Sequence, residues 1–378
     1  MKRSTTRILT THTGSLPRPW DLVDLLQAKE AGVLSDRAAF DGRVREAVAE
    51  VVRRQVEAGV DVVSDGEQGK LSYSTYVKDR LSGFEGESLT PPPPTWEGFP
   101  EASTRRAAIS IRAMPACNGP IARKDSGELQ TDVGNLKAAM SSVTPSEVFM
   151  TAASPGVIAF FLRNDYYPSR EAYLSALADA MKEEYEAIHQ AGFLLQVDCP
   201  DLAMVRHLQF PDLSTEEFLK IAEANIEVLN HALANIPPDR MRLHLCWGNY
   251  EGPHDRDIPL KDIIGVALKA RPCAISFEGA NPRHEHEWKV FEEVKLPKGK
   301  LIIPGVIDST TNFIEHPELV AQRIVRYAEL VGRENVIAGS DCGFGTSARL
   351  DPIVEPEIVW PKLSALAAGA RLASQELW

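Results

Sequence analysis

The stretch "RLHLCWGN" (242–249) reads as a short strand that is buried on both faces and ends in polar and small residues. His244 and Cys246 stand two positions apart in it, so in extended chain they point to the same side. Seven other runs share the pattern: "RILTTHTGS" (7–15), "VDVVSDGE" (60–67), "EVFMTAASPG" (147–156), "LLQVDCPD" (194–201), "CAISFEGAN" (273–281), "LIIPGVIDS" (301–309) and "VIAGSDCGFG" (336–345). Each is apolar or β-branched, and most end in small or polar residues.

Helical periodicity fills the gaps. "RVREAVAEVVRRQVEAG" (43–59) carries apolar residues at i, i+3 and i+4 and ends at Gly59, a natural C-terminal stop. "YLSALADAMKEEYEAIHQAG" (173–192) repeats this with Gly192, and "TEEFLKIAEANIEVLNHAL" (215–233) opens with Thr215 as an N-cap. Buried strands alternating with helices predict a parallel sheet, and eight of them predict a (β/α)8 TIM barrel, one α/β domain over 1–378. An open doubly wound sheet is the alternative, but no GxGxxG turn follows any of the strands. Residues 69–135 break the alternation. There "TPPPPTW" (90–96) is a stiff segment and "AAISIRAMPACNGPI" (107–121) reads as strand, so an insertion follows the second strand, with a β-hairpin over the barrel mouth.

Composition narrows the function classes. The chain has 378 residues, 44% hydrophobic and 25% charged, enough for a large core. A net charge of −12 argues against binding to nucleic acid or to an anionic membrane surface. The start "MKRSTTRILTTHTGS" lacks the apolar core of a signal peptide, and no apolar run reaches the ~20 residues of a membrane span. Five scattered cysteines make a poor disulfide framework, so reduced thiols and a cytoplasmic location are expected.

In a barrel the strand C-termini converge on one face. The polar residues there include Thr11, His12, Ser15, Asp65, Glu67, Asp198, Cys199, His244, Cys246, Glu278, Asp308, Asp341 and Cys342. His244, Cys246, Glu278 and Cys342 form a borderline-soft donor set that suits tetrahedral Zn2+. On spacing alone incidental core remains the competing reading, because H-x-C carries no statistical weight and a buried cysteine behaves as a small hydrophobe. "RHEHE" (283–287) is expected to be a solvated helix start, and Asp65 and Asp341 to tie loops.

Several motifs in order then resemble one family: "TTHTGSLPRP" (10–19), "SDGEQGK" (64–70), "CNGPI" (117–121), "QVDCPDLA" (196–203), "LHLC" (243–246), "ISFEGANPR" (275–283), "PGVIDSTTN" (304–312) and "GSDCGFGT" (339–346). Together they resemble the catalytic barrel of cobalamin-independent methionine synthase, in a single-barrel form without the duplicated N-terminal half. The resemblance implies zinc held by His244, Cys246, Glu278 and Cys342. It also implies that Ser15, Glu67 and Asp198 hold the amino acid part of homocysteine. Two positions depart from the family pattern. Thr310 stands where the family has a histidine linked to proton transfer, and Cys199 follows Asp198 where the family has glutamate.

The expected activity is zinc-dependent S-methyl or alkyl transfer to a thiol such as homocysteine, from a donor other than methyltetrahydrofolate. His12 or Asp308 would assist the leaving group. An epoxyalkane:coenzyme M transferase, a C–S bond lyase and a non-catalytic zinc barrel are the alternatives. Expected partners are a small-molecule thiol and an alkyl donor, with a corrinoid protein or a homo-oligomer left open.

Overall fold

The structure, a computed structural model, describes residues 1–90, 98–102, 112–124, 127–348 and 350–378. Eight short strands form its centre: β1 Leu9–Thr10, β2 Val62–Val63, β3 Glu147–Ala153, β4 Leu194–Asp198, β5 Met241–His244, β6 Ala274–Phe277, β7 Leu301–Ile307 and β8 Ile337–Ser340. Every neighbouring pair in the order β1-β8-β7-β6-β5-β4-β3-β2 is parallel. A parallel bridge between Thr11 and Val62 joins the two ends, closing the barrel that the sequence predicts. All eight apolar runs supply one strand each, in order. Parallel strands covered on both faces need no polar alternation, which is why those runs are continuously apolar.

The helices show why local signals locate an element better than its ends. The helix before β2 runs Arg37–Glu57, starting six residues earlier than the periodicity suggests, because Asp36 accepts a hydrogen bond from Ala39 N (2.9 Å) and caps it. Before Thr215–Ala232 the cap is Ser214 rather than Thr215. Ser214 and Glu217 form a reciprocal capping box, with Glu217 N donating to Ser214 Oγ at 3.2 Å and Ser214 N donating to Glu217 Oε2 at 2.8 Å.

Between β2 and β3 the strands Gly86–Thr90 and Arg112–Cys117 pair antiparallel, and Arg163–Asn164 adds a third strand. The helix Glu128–Ala139 follows and packs on Arg37–Glu57. The proline run of "TPPPPTW" from 91 onward, and residues 107–111 of the segment read as strand, lie outside the described residues. No helix among the described residues is long and apolar enough to cross a membrane.

The lumen beneath the site is filled by a buried Arg242. Its guanidinium donates to Thr11 Oγ1 (2.8 Å) and to His12 O (2.6 Å) and lies 4.1 Å over the Phe149 ring. Burial lowers its pKa to about 9. These bonds tie β5 to the end of β1, so the floor of the site is rigid.

Candidate functional site

His244 is the last residue of β5, and Cys246 follows on the same side. The extended pairing continues past the strand, since Cys199 N donates to His244 O (2.8 Å) and Leu245 N to Ser276 O (2.8 Å). Glu278 comes one residue after β6, and Cys342 two after β8. The four side chains, widely separated in sequence, meet. Cys246 Sγ lies 3.2 Å from Cys342 Sγ, and Cys342 Sγ lies 3.7 Å from His244 Nε2 and 3.5 Å from Glu278 Oε1. All four are buried.

The charge states show what the cluster lacks. Burial lowers the His244 pKa to about 3, so the ring is neutral, and its buried Nδ1 has no hydrogen-bond partner. The Cys342 thiol is pushed well above its ordinary value, by its contact with Cys246 and then by burial. A neutral imidazole, two thiols and a carboxyl packed this closely are poor partners for one another and good ligands for one borderline-soft cation. At ligand distances of ~2.0–2.3 Å the edges of a tetrahedron are ~3.3–3.8 Å, so the thiols need to part by about half an ångström.

Hydrogen bonds hold the set in place. Glu278 Oε1 accepts from Trp247 N (2.8 Å) and Oε2 from Asn281 Nδ2 (2.8 Å). Asp341 accepts from Gly279 N, Ala280 N and Asn281 N, each at 2.8 Å, which pins the loop carrying Glu278 to the loop carrying Cys342. Asn249 donates to Gly343 O and Thr346 Oγ1, both at 2.7 Å, and accepts from Ser309 Oγ at 3.0 Å. Three strand-end loops are thereby joined.

Ser15, Glu67 and Asp198 line the same cleft as His244, Cys246 and Cys342. Ser15 is pressed against Gly343, where any Cβ would collide with its Oγ, so only glycine fits there. Glu67 has φ +57°, a left-handed conformation uncommon for a residue with a side chain, and Asp65 Oδ1 accepts from its N–H at 3.0 Å. That turn directs its carboxylate into the cleft. Oε1 accepts from Thr151 Oγ1 (2.8 Å), whereas Oε2 is buried without a partner. Asp198 Oδ1 accepts from Gln196 Nε2 (2.7 Å), and its pKa rises to about 8, by burial first and then by Glu67. Two carboxyls facing one cleft, one of them with a partnerless oxygen, could accept hydrogen bonds from a cation with several N–H groups.

His12 is not brought to the cleft. Its Nε2 bonds to Gln55 Oε1 (2.8 Å), its Nδ1 accepts from Gly14 N (3.2 Å), and its ring packs 5.3 Å from that of Phe149. Burial lowers its pKa to about 3, so it has no proton to give near neutral pH. Asp308 is turned to its own loop, accepting from Thr310 N (2.9 Å) and Thr310 Oγ1 (2.8 Å).

"RHEHE" does open a short helix, Glu285–Lys289, with Arg283 and His286 exposed, but it is not solvated throughout. His284 is buried between Asp257 and Glu287, with Nε2 3.1 Å from Asp257 Oδ2 and Nδ1 2.8 Å from Glu287 Oε2. His254 and His207 close on the same Asp257 carboxylate at 2.8 and 3.2 Å. The cage links the loops after β4, β5 and β6. Its partner Asp257 lies 27 positions from His284, beyond the reach of a local pattern.

Tyr73, Thr151, Gln196 and Asn249 escaped the sequence reading. Gln196 could have been found, since it precedes Asp198 by two and so shares its side of β4.

A family model described as the cobalamin-independent synthase catalytic domain matches residues 8–89 and 102–353. A methionine synthase of Saccharolobus islandicus is 25% identical over 372 residues, covering 97% of this chain and 95% of that protein. One of Thermococcus kodakarensis is 24% identical over 365 residues, covering 96% and 93%. Among solved structures, a B12-independent methionine synthase from Shewanella sp. W3-18-1, in complex with selenomethionine, has a TM-score of 0.77 at 21% identity, covering 98% of this chain and 99% of that one, and so shares the fold. Since the family match runs from ahead of β1 to beyond β8, this chain belongs to the cobalamin-independent synthase catalytic-domain family.

Proposed function

We propose that this chain is a zinc-dependent S-methyltransferase that activates an amino acid thiol of the homocysteine type. The observation that carries the reading is the partnerless Glu67 Oε2 beside Asp198, in the same cleft as the His244, Cys246 and Cys342 donors. Zinc, when held by these three and Glu278, would supply a Lewis acid that converts an incoming thiol, ordinarily of pKa near 8.5, into a thiolate at neutral pH.

The chain's own residues do the rest. Glu67 and Asp198 take the α-ammonium, while Ser15 Oγ and the backbone N–H groups around it face the carboxylate. The relatives named methionine synthase support homocysteine as the acceptor. Coenzyme M fits less well, because among the described residues no lysine or arginine lines the cleft to receive a sulfonate. The donor is read as one other than methyltetrahydrofolate.

Zinc-edge X-ray absorption tests the reading. Homocysteine should add one sulfur ligand to the ion, and an unchanged spectrum would sink it. Asp198→Asn should weaken homocysteine binding by about ten- to a hundred-fold, the usual cost of a lost charge-assisted bond, and leave thiols without an amino group nearly unaffected. Equal losses for both would show that the carboxyls serve another purpose.

Asp341→Ala should loosen the loop that presents Glu278. Residues that orient metal ligands typically contribute 10–100-fold to affinity, so competition with a chelator should show a loss in about that range. An unchanged affinity would mean that the loop holds itself.

A further inference from the structure

Tyr73 lines the cleft together with Glu67, Asp198, Cys246 and Cys342. Its ring meets Phe161 edge-on at 5.9 Å, and Phe161 meets Phe160 edge-on at 4.8 Å. The two phenylalanines end the short helix Pro155–Phe161 that follows β3, and all three rings are half-buried. Of the three rings only Tyr73 reaches the lining of the cleft, and the two phenylalanines pack behind it. The charged groups of the lining are acidic, and among the described residues none is lysine or arginine. Arg18, Lys70 and Arg242 act on these carboxyls from behind the lining, so the groups that a second substrate meets in the cleft itself are the two carboxyls and the Tyr73 ring.

We propose that the alkyl donor is a methyl-onium compound, a sulfonium or a quaternary ammonium, whose positive centre rests on the Tyr73 ring beside Glu67 and Asp198. This rests on the thiol-methyltransferase reading above. An aromatic face attracts a cation through its quadrupole, more strongly where water is scarce. The chemistry suits the site as well. The thiolate sulfur forms a bond to the methyl carbon, and the bond from that carbon to the onium sulfur or nitrogen breaks. The electron pair stays with the departing atom, which leaves as a neutral thioether or tertiary amine, and no proton moves. One negative and one positive charge disappear together, a change that a water-poor cleft favours. No acid is required, in keeping with Thr310 spent on Asp308 and His12 on Gln55.

The test is calorimetric binding to the full zinc-loaded chain, without homocysteine, of choline and of its uncharged isostere 3,3-dimethyl-1-butanol. Choline should bind about two- to thirty-fold tighter, the range of a cation–π contact. Tyr73→Leu should remove that difference and Tyr73→Phe, which keeps the ring, should retain it, with circular dichroism reporting the fold of both. Trimethylsulfonium with homocysteine should then give methionine and dimethyl sulfide. Equal binding of the two probes overturns the proposal, as does a preference that survives Tyr73→Leu, or a preference without methyl transfer from trimethylsulfonium. A chain that fails to bind homocysteine sinks the thiol reading instead, and the cation preference, measured without homocysteine, still decides this one.

Discussion

Cys342→Ala protein is expected to fold with its barrel intact and to lose stoichiometric zinc. Complete structural zinc sites contribute ~10–16 kcal/mol, so one ligand of four accounts for roughly 3–4 kcal/mol, or a hundred- to a thousand-fold in affinity. The barrel should survive because Cys342 and Cys246, although buried, belong to none of the clusters of packed apolar side chains built from the strand interiors and the helices outside them. The strands are joined by backbone hydrogen bonds around a closed ring that Cys342, two residues beyond β8, does not enter. The substitution also relieves a 3.2 Å contact between two sulfurs. Its melting temperature should therefore match that of the metal-free native chain to within a few degrees. Elemental analysis after gel filtration decides the matter, and a full equivalent of zinc in the variant would overturn the ligand assignment.

The fold was legible because a parallel barrel writes itself in one dimension. Each strand is a buried β-branched run, and each ends where the chain needs polar groups. That His244, Cys246, Glu278 and Cys342 would meet was legible for the same reason, since they follow strand ends that topology brings together, but only the family resemblance set them apart from incidental core. What sequence could not supply was orientation. His12 and Asp308 sit at strand ends too, yet Gln55 turns the first inward and Thr310 occupies the second. Gln55 lies 43 positions from His12, on a helix, and nothing local signals the contact. Tyr73 was missed because its place in the cleft depends on where a loop after β2 lays one ring, and the cage around Asp257 because its histidines come from three separate loops.

Methyltetrahydrofolate is expected to be a poor donor, which is the second large effect. Its methyl group leaves a tertiary amine nitrogen that must be protonated as the bond breaks, since an amide-like anion is a very poor leaving group. A positioned general acid typically contributes 10²–10⁴-fold to such a step. Thr310 stands where the resemblance to the family implies a histidine, and its hydroxyl proton is already donated to Asp308 Oδ1. His12 is neutral and donates its ring hydrogen to Gln55. Burial raises Glu67, and Asp198, raised to about 8, can hold a proton when the cleft is empty, but a bound α-ammonium draws Asp198 toward the ionised form, so it ceases to be an acid at the moment of transfer. Turnover with homocysteine and methyltetrahydrofolate, mono- or polyglutamylated, should thus fall at least a hundred-fold below the usual 1–10³ s⁻¹. Methylcobalamin and onium donors, whose leaving groups need no proton, should escape that loss. Thr310→His should recover roughly ten-fold or more of the folate rate and leave the onium rate alone, because it restores an acid that only the amine donor uses. Folate turnover in the ordinary enzyme range with Thr310 in place would show that the proton comes from elsewhere and that this chain works as a folate-using methionine synthase.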